Sequence, residues 1–133
     1  MSVLLALIAG GCQTKDNTNV NPAGNTSAVV TSGKWTVSYF YDNDKDETSD
    51  YNGYSFELKN DNTITATKNS VTTSGTWSET SGDGMQKLVI ALNTTDKDLS
   101  ELNDDWVIET KTDNQLKLKD DNPDRNEQLH FSK

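Results

Sequence analysis

Few side chains in this 133-residue sequence are suited to covalent or metal chemistry. There is one cysteine, Cys12, and one histidine, His130. His130 alternates out of phase with its apolar neighbours Leu129 and Phe131, so in a strand it would face solvent. One histidine cannot build an ordinary zinc site, and no serine has the local sequence of a nucleophile elbow. We therefore expect no enzyme and no cofactor.

Carboxylates are the only potential metal ligands that are numerous in this sequence. Aspartate and glutamate number 21 against 12 lysines and arginines, giving a net charge of -9. This balance disfavours nucleic acid and anionic lipid surfaces as partners. Asp42, Asp44 and Asp46 alternate like the ligands of an EF-hand calcium loop. However, Glu47 stands at the sixth position, where that loop has glycine, and Gly53 stands at the twelfth, where it has glutamate. A solvated acidic loop is the simpler interpretation, and whether a metal binds stays open.

The N-terminus carries a targeting pattern. An unbroken apolar run, Val3–Ala9, is followed by Gly10, Gly11 and Cys12. Seven apolar residues are too few to span a bilayer, which needs about twenty, but they match the core of a secretory signal. The pattern resembles a bacterial lipobox, which implies that Cys12 is acylated, for example with palmitate. A buried N-terminal strand with a free thiol is the alternative.

The segment after Cys12 has the composition of a flexible linker. Residues 13–32 are rich in Asn, Thr, Gly, Ala and Ser. Such a segment cannot bury enough apolar surface to offset the entropy lost on ordering. As a coil, twenty residues reach roughly 25 Å. The predicted organisation is a signal peptide at 1–12, a tether at 13–32 and one folded domain at 33–133.

The folded part shows the period of two that is typical of strands. Turn residues recur every eight to twelve positions from Gly33 onward. Leu99 and Leu102, three positions apart, predict one short helical turn. Eight strands are predicted, around residues 34–41, 54–58, 63–67, 73–78, 87–92, 106–108, 116–118 and 129–131.

The predicted fold class is all-β. Short connections favour an antiparallel meander, and eight strands in a meander remove their exposed edges by closing on themselves. A lipocalin-like barrel is therefore expected, and a two-sheet β-sandwich is the alternative. Trp35 and Trp77 would fill the core in either case.

Three short motifs strengthen the barrel prediction. Gly33-Lys34-Trp35, then Phe56-x-Leu58, then Gly75-Thr76-Trp77 occur in this order. The arrangement resembles the lipocalin-like domains of many Bacteroidetes lipoproteins, over roughly the last hundred residues. The resemblance implies that Trp35 packs across the closed base of the barrel. It also implies that ligands enter at the open end, under a long first loop at 42–52.

A meander also predicts where the acidic loops lie. Successive connections alternate between the two ends, so loops 42–52, 69–71, 94–104 and 120–127 share the end opposite the tether. We call this the acidic end. It gathers fourteen of the twenty-one acids: Asp42, Asp44, Asp46, Glu47, Asp50, Asp96, Asp98, Glu101, Asp104, Asp105, Asp120, Asp121, Asp124 and Glu127.

The predicted function is a non-enzymatic binding domain, lipid-anchored to the outer membrane in the cell envelope and either periplasmic or surface-exposed. We expect a monomer that binds a small hydrophobic ligand. Tyr39, Tyr41, Tyr54 and Trp106 are the candidate mouth or interior residues. The alternative is a protein-interaction module, such as a protease inhibitor or a subunit of a surface complex.

Overall fold

The computed structural model describes residues 26–82, 84–122 and 124–133. The elements in chain order are α1 (Thr26–Val30), β1 (Lys34–Asp42), β2 (Lys45–Asp46), a 3₁₀ turn (Thr48–Tyr51), β3 (Ser55–Leu58), β4 (Thr63–Lys68), β5 (Val71–Gly82), β6 (Met85–Leu92), α2 (Lys97–Ser100), β7 (Asp104–Lys111), β8 (Gln115–Asp120) and β9 (Gln128–Ser132). Within these ranges no helix has the length and apolarity needed to cross a membrane.

The strands form a closed antiparallel barrel. Each of β3 to β8 pairs with the next strand in sequence, and β1 pairs with both β3 and β9. The closing pairs run from Thr36–Ser132 to Tyr41–Gln128. The two-residue β2 adds a ninth strand that pairs only with the end of β1. The predicted eight-stranded meander is confirmed, and the sandwich alternative is not what forms.

Side chains from every barrel strand fill the interior. Alternate residues point inward, as the period of two requires. They form one buried cluster, which consists of Val30, Trp35, Phe40, Tyr51, Phe56, Leu58, Ile64, Ala66, Trp77, Leu88, Ile90, Leu92, Leu99, Leu102, Trp106, Leu116, Leu118, Leu129 and Phe131. The barrel is therefore packed as a core, and both ends contribute to it.

A β-bulge in β1 changes which of its residues face inward. The register against β9 shifts between Val37 and Tyr39, so Ser38 has no opposite partner. One extra residue reverses the alternation beyond it. Trp35 and Phe40 are both buried, although they are five positions apart. Without the bulge, Tyr39 rather than Phe40 would have entered the core.

The end where the chain enters the barrel, the base, is closed by the segment before β1. Val30, in α1, is fully buried, and its carbonyl accepts a hydrogen bond of 2.9 Å from the Trp35 indole. Lys133 lies with its ammonium 4.2 Å from the Trp35 ring and donates to the Ser32 carbonyl. The folded part thus includes residues that were assigned to the tether, and it begins before Gly33.

The acidic end is closed by two short helical segments. The 3₁₀ turn buries Tyr51, whose hydroxyl donates a 2.7 Å hydrogen bond to the Asp98 carbonyl. The helix α2 forms where the short helical turn was predicted, and Leu99 and Leu102 are buried in the core. Residues 42–54 and 94–103 therefore meet across this end.

Replacing Trp35 should destabilise the domain strongly. The side chain is 0% exposed, and its indole holds the closing segment in place. We expect Trp35→Ala to lower the free energy of unfolding by about 3–5 kcal/mol. Denaturant titration would measure this. Val71→Ala is the control, because Val71 is 68% exposed and surface changes stay within about 0.5 kcal/mol. Equal losses in both variants would contradict the assignment.

Candidate functional site

The apolar core ends at the acidic end in a layer of inward-facing carboxylates. On β7 and β8, the inward positions next to Trp106 and Leu118 are Asp104 and Asp120. Glu127 lies one residue before β9 and continues the inward phase of Leu129. On β1, the inward position after Phe40 is Asp42. We call Asp42, Asp104, Asp120 and Glu127 the inner carboxylates.

Three of these groups converge into one cluster, which we call the inner triad. One carboxylate oxygen each from Asp104, Asp120 and Glu127 lies within 4.8 Å of the other two. Strand pairing brings them together, because Asp120 N–H donates to the Glu127 carbonyl at 2.9 Å and Asp120 lies opposite Trp106. Glu127 is only 4% exposed. Three acids are thus held at a site where charge is costly.

Burial and mutual repulsion shift the pKa values of the inner triad. Burial, with the Asp120 and Asp42 carboxyl groups, raises the pKa of Glu127 to about 8, although Arg125 opposes this. Burial also raises the pKa of Asp104 to about 6. Burial would raise the pKa of Asp120 as well, but hydrogen bonds from Asn122 N–H and from the two neighbouring carboxyl groups lower it. Asp120 is therefore the group that ionises first.

Among the ion pairs of the described residues, Arg125 is the cation that contacts the inner triad. Its Nη2 lies 3.5 Å from Glu127 Oε1 and 3.9 Å from Asp42 Oδ1, and its side chain is 54% exposed. Neither contact counts as a hydrogen bond: among the described residues, both oxygens are buried without one. A single exposed guanidinium is thus shared between two carboxylates and compensates only part of the charge.

A second cluster lies beside the first. Oxygens of Asp42, Glu47 and Glu101 lie within 4.8 Å of one another. Burial, followed by the charge of Glu101, raises the pKa of Glu47. This cluster has its own cations, since Lys97 pairs with Glu101 at 2.8 Å and Lys45 with Glu47 at 3.7 Å. Even so, one oxygen each of Asp42, Glu47 and Glu101 is buried without a hydrogen bond among the described residues.

The inner triad borders an open polar pocket. The pocket has a volume of about 230 Å³, and it is lined by Glu109, Lys119, Asp120, Asn122, Asn126, Glu127 and Gln128. Asn126 has a φ of +48°, a left-handed backbone that asparagine tolerates better than most residues. The pocket also contains a cation, because Lys119 pairs with Glu109 at 3.4 Å.

The structure separates the four predicted aromatic site residues. Tyr39 and Tyr41 lie on the outer face, because the bulge at Ser38 turns Phe40 inward instead. Their rings stack at 6.0 Å, and Tyr39 contacts the His130 ring at 5.0 Å. His130 faces outward as predicted but is half-buried, and burial lowers its pKa.

The other two candidates lie inside or at the mouth. Trp106 is fully buried, and its indole donates a 2.9 Å hydrogen bond to the Leu102 carbonyl. Tyr54 is half-buried against the core, with the Lys68 ammonium 5.0 Å from its ring. Ligand binding by any of these residues stays a prediction. Cys12, the predicted lipid attachment site, lies outside the described residues.

The apparent calcium loop does not gather its own three aspartates. Asp42 turns inward toward Glu47 and Glu101. Asp46 instead accepts hydrogen bonds from the Thr48 backbone N–H and hydroxyl, at 3.0 and 2.6 Å. Asp44 is exposed. The regular spacing in the sequence therefore does not produce a shared centre at 42, 44 and 46.

The inner triad was not singled out from the sequence. Its members were counted only among fourteen loop acids, although each continues the inward phase of a predicted strand. Asp104 precedes Trp106 by two positions, Asp120 follows Leu118 by two, and Glu127 precedes Leu129 by two. Extending the period of two beyond the apolar residues would have marked all three as inward-facing.

No protein-family model and no curated protein matches this chain. Among solved structures, it is similar to a DUF4847 family protein from Bacteroides vulgatus. The two share 17% sequence identity with a TM-score of 0.59, over 81% of this chain and 96% of that one. At this identity the likeness shows the fold alone. It fits a barrel protein of the Bacteroidetes, and the lipocalin-like assignment stays a prediction.

The stability of the domain should fall as pH rises from about 5 to about 8. The folded state holds a proton on Glu127 up to a pKa of about 8, whereas the unfolded value is near 4.5. Between these values the folded state binds more protons, so raising the pH favours unfolding. Asp104 adds to the trend up to a pKa of about 6. Thermal melts in the presence of a chelator would show the decline.

Glu127→Gln should remove most of this pH dependence, because glutamine cannot ionise. Asp124→Asn is the matched control: Asp124 is exposed in the same loop and should leave the decline unchanged. A wild-type domain whose stability is flat or rising between pH 5 and pH 8 would contradict the assignment.

Proposed function

We propose that this chain is a non-enzymatic lipoprotein of the cell envelope, whose acidic end binds a basic partner protein. The supporting observation is the placement of the acidic loops. They converge at the end of the barrel opposite Val30 and Trp35, where the chain enters. A lipid on Cys12 would therefore attach the base to the outer membrane and leave the acidic end facing away.

A partner that binds at the surface accords better with the packing than a ligand inside the barrel. The barrel fold itself is compatible with ligand binding. However, the interior is occupied by one cluster of buried side chains, and Tyr51, Leu99 and Leu102 cover the acidic end. Binding a small hydrophobic molecule inside would require these caps to move. The geometry therefore favours the protein-interaction alternative over the small-ligand prediction.

The chemistry of the acidic end selects a basic partner. Complementary charge steers encounter and sets specificity, and its effect weakens as salt screens it. Asp44, Asp50 and Asp96 are exposed acids on two loops of this end. Asp96 Oδ1 also caps α2 by accepting a 3.0 Å hydrogen bond from Leu99 N–H, a role that asparagine can fill.

Neutralising these exposed acids should weaken the binding of a cationic probe. We expect the triple variant Asp44→Asn, Asp50→Asn, Asp96→Asn to bind hexalysine roughly tenfold more weakly, since each exposed charge pair contributes up to about 1 kcal/mol. Fluorescence anisotropy with the full chain in neutral detergent, at several salt concentrations, would measure this.

The matched control removes three charges near the base instead, through Glu57→Gln, Asp61→Asn and Asp113→Asn. It should bind hexalysine almost as well as the wild type. Equal weakening in both triple variants would show that only net charge matters, and the proposed surface would then be wrong.

Membrane attachment should depend on Cys12. We expect Cys12→Ser to release the protein from the membrane fraction and to abolish metabolic labelling with palmitate. A serine at position 2 is already present, so Ser2→Ala serves as a control for changes in the signal region. Palmitate labelling that persists in Cys12→Ser would exclude this cysteine as the attachment site.

A further inference from the structure

We propose that the inner triad, Asp104, Asp120 and Glu127, binds a divalent cation of the calcium type. This site is separate from the exposed loop acids to which the partner surface was assigned, and it depends on neither the partner nor the lipid anchor.

The distances fit a single ion. Calcium binds oxygen ligands at 2.3–2.6 Å, so two ligands on opposite sides of the ion lie about 5 Å apart. One oxygen from each member of the inner triad lies within 4.8 Å of the others. The three oxygens therefore lie within the span of one calcium coordination shell.

The burial of Glu127 separates this cluster from ordinary surface acids. Glu127 is 4% exposed, and its Oε1 is buried without a hydrogen bond among the described residues. Its contact with Arg125 Nη2, at 3.5 Å, lacks hydrogen-bond geometry. A buried carboxylate oxygen that lacks a hydrogen bond is unfavourable. A cation among the three carboxylates would supply the missing interaction.

The adjoining pocket leaves room for waters beside the inner triad, although Lys119 also lines it and pairs there with Glu109. It has a volume of about 230 Å³ and is lined in part by Asn122, Asn126 and Gln128. Calcium takes six to eight oxygen ligands in a flexible geometry, and amide oxygens and waters are common among them. Magnesium requires a strict octahedron and gives up its waters reluctantly. A triad open on one side to polar loop residues therefore suits calcium better.

Trp106 provides a local reporter for this site. It lies two positions from Asp104 on the same face of β7, and it lies opposite Asp120 of the neighbouring strand β8. Terbium has oxygen-ligand preferences similar to those of calcium, and a nearby indole sensitises its luminescence. Ions on the exposed loops lie farther from this buried side chain and should be sensitised less.

The test is a titration of the chelator-treated full chain with CaCl₂ in about 0.15 M NaCl, which weakens binding to exposed charges. Calorimetry would measure binding, and displacement of terbium would report the site. We expect one saturable calcium ion, and a higher thermal midpoint with calcium than with matched ionic strength, because the ion binds only the folded state.

Three single variants locate the site. Glu127→Gln and Asp120→Asn should each weaken calcium binding on the order of tenfold or more, because the number of charged ligands sets the affinity. Asp124→Asn is the control, because Asp124 is an exposed residue of the same loop. This variant should bind calcium like the wild type. If Asp120→Asn fails to fold, Asp104→Asn replaces it.

Two results would overturn the proposal. One is an absence of saturable calcium binding by the wild type, which would leave protons as the only occupants of the inner triad. The other is equal calcium binding by the wild type and Glu127→Gln, which would place the ion on the exposed loops. Hexalysine binding is measured separately, so its failure would not be confused with either result.

Discussion

The antiparallel pairing of β1 with β9 is the interaction on which the rest of the structure depends. It joins the first strand of the barrel to the last and leaves no long unpaired edge. It also fixes the register in which Phe40 lies opposite Leu129. That register places Asp42 and Glu127 at the same end, where Arg125 contacts both. The acidic layer thus exists because the barrel closes with this register.

The inward-facing carboxylates of the acidic end lower the stability of the folded domain. Apolar residues at these inward positions would extend the core and avoid the cost of burying charge. The chain instead has Asp104, Asp120 and Glu127 there, and Arg125 is shared between Glu127 and Asp42. Unfavourable local arrangements of this kind concentrate where a protein binds something. The neighbouring cluster around Glu47 and Glu101 has two lysine partners, although it too contains buried oxygens without a hydrogen bond among the described residues.

The segments that close the two ends of the barrel limit access to its interior. Val30 closes the base, and Tyr51, Leu99 and Leu102 close the acidic end, so the apolar interior serves stability. The two proposed binding sites accordingly lie on the surface and in the polar layer just beneath it. Such a division suits a small domain, in which one core must supply nearly all of the stabilising burial.

The period of two in the sequence was sufficient to predict an all-β meander of eight strands, the burial of Trp35 and Trp77, and the shared end of the acidic loops. It favoured a barrel over a two-sheet sandwich, but the pairing of β1 with β9 decided between them. These features follow from local alternation and from the order of strands in a meander.

The inward phase of Asp104, Asp120 and Glu127 was also present in the sequence, although their convergence was not. Convergence required the register between strands, which backbone hydrogen bonds set across distant segments. The bulge at Ser38, which moved Tyr39 and Tyr41 outward, likewise arises only where β1 meets β9. The packing of Val30 under Trp35 was decided by tertiary contacts as well, because nothing in the local composition of 26–30 distinguishes a cap from a tether.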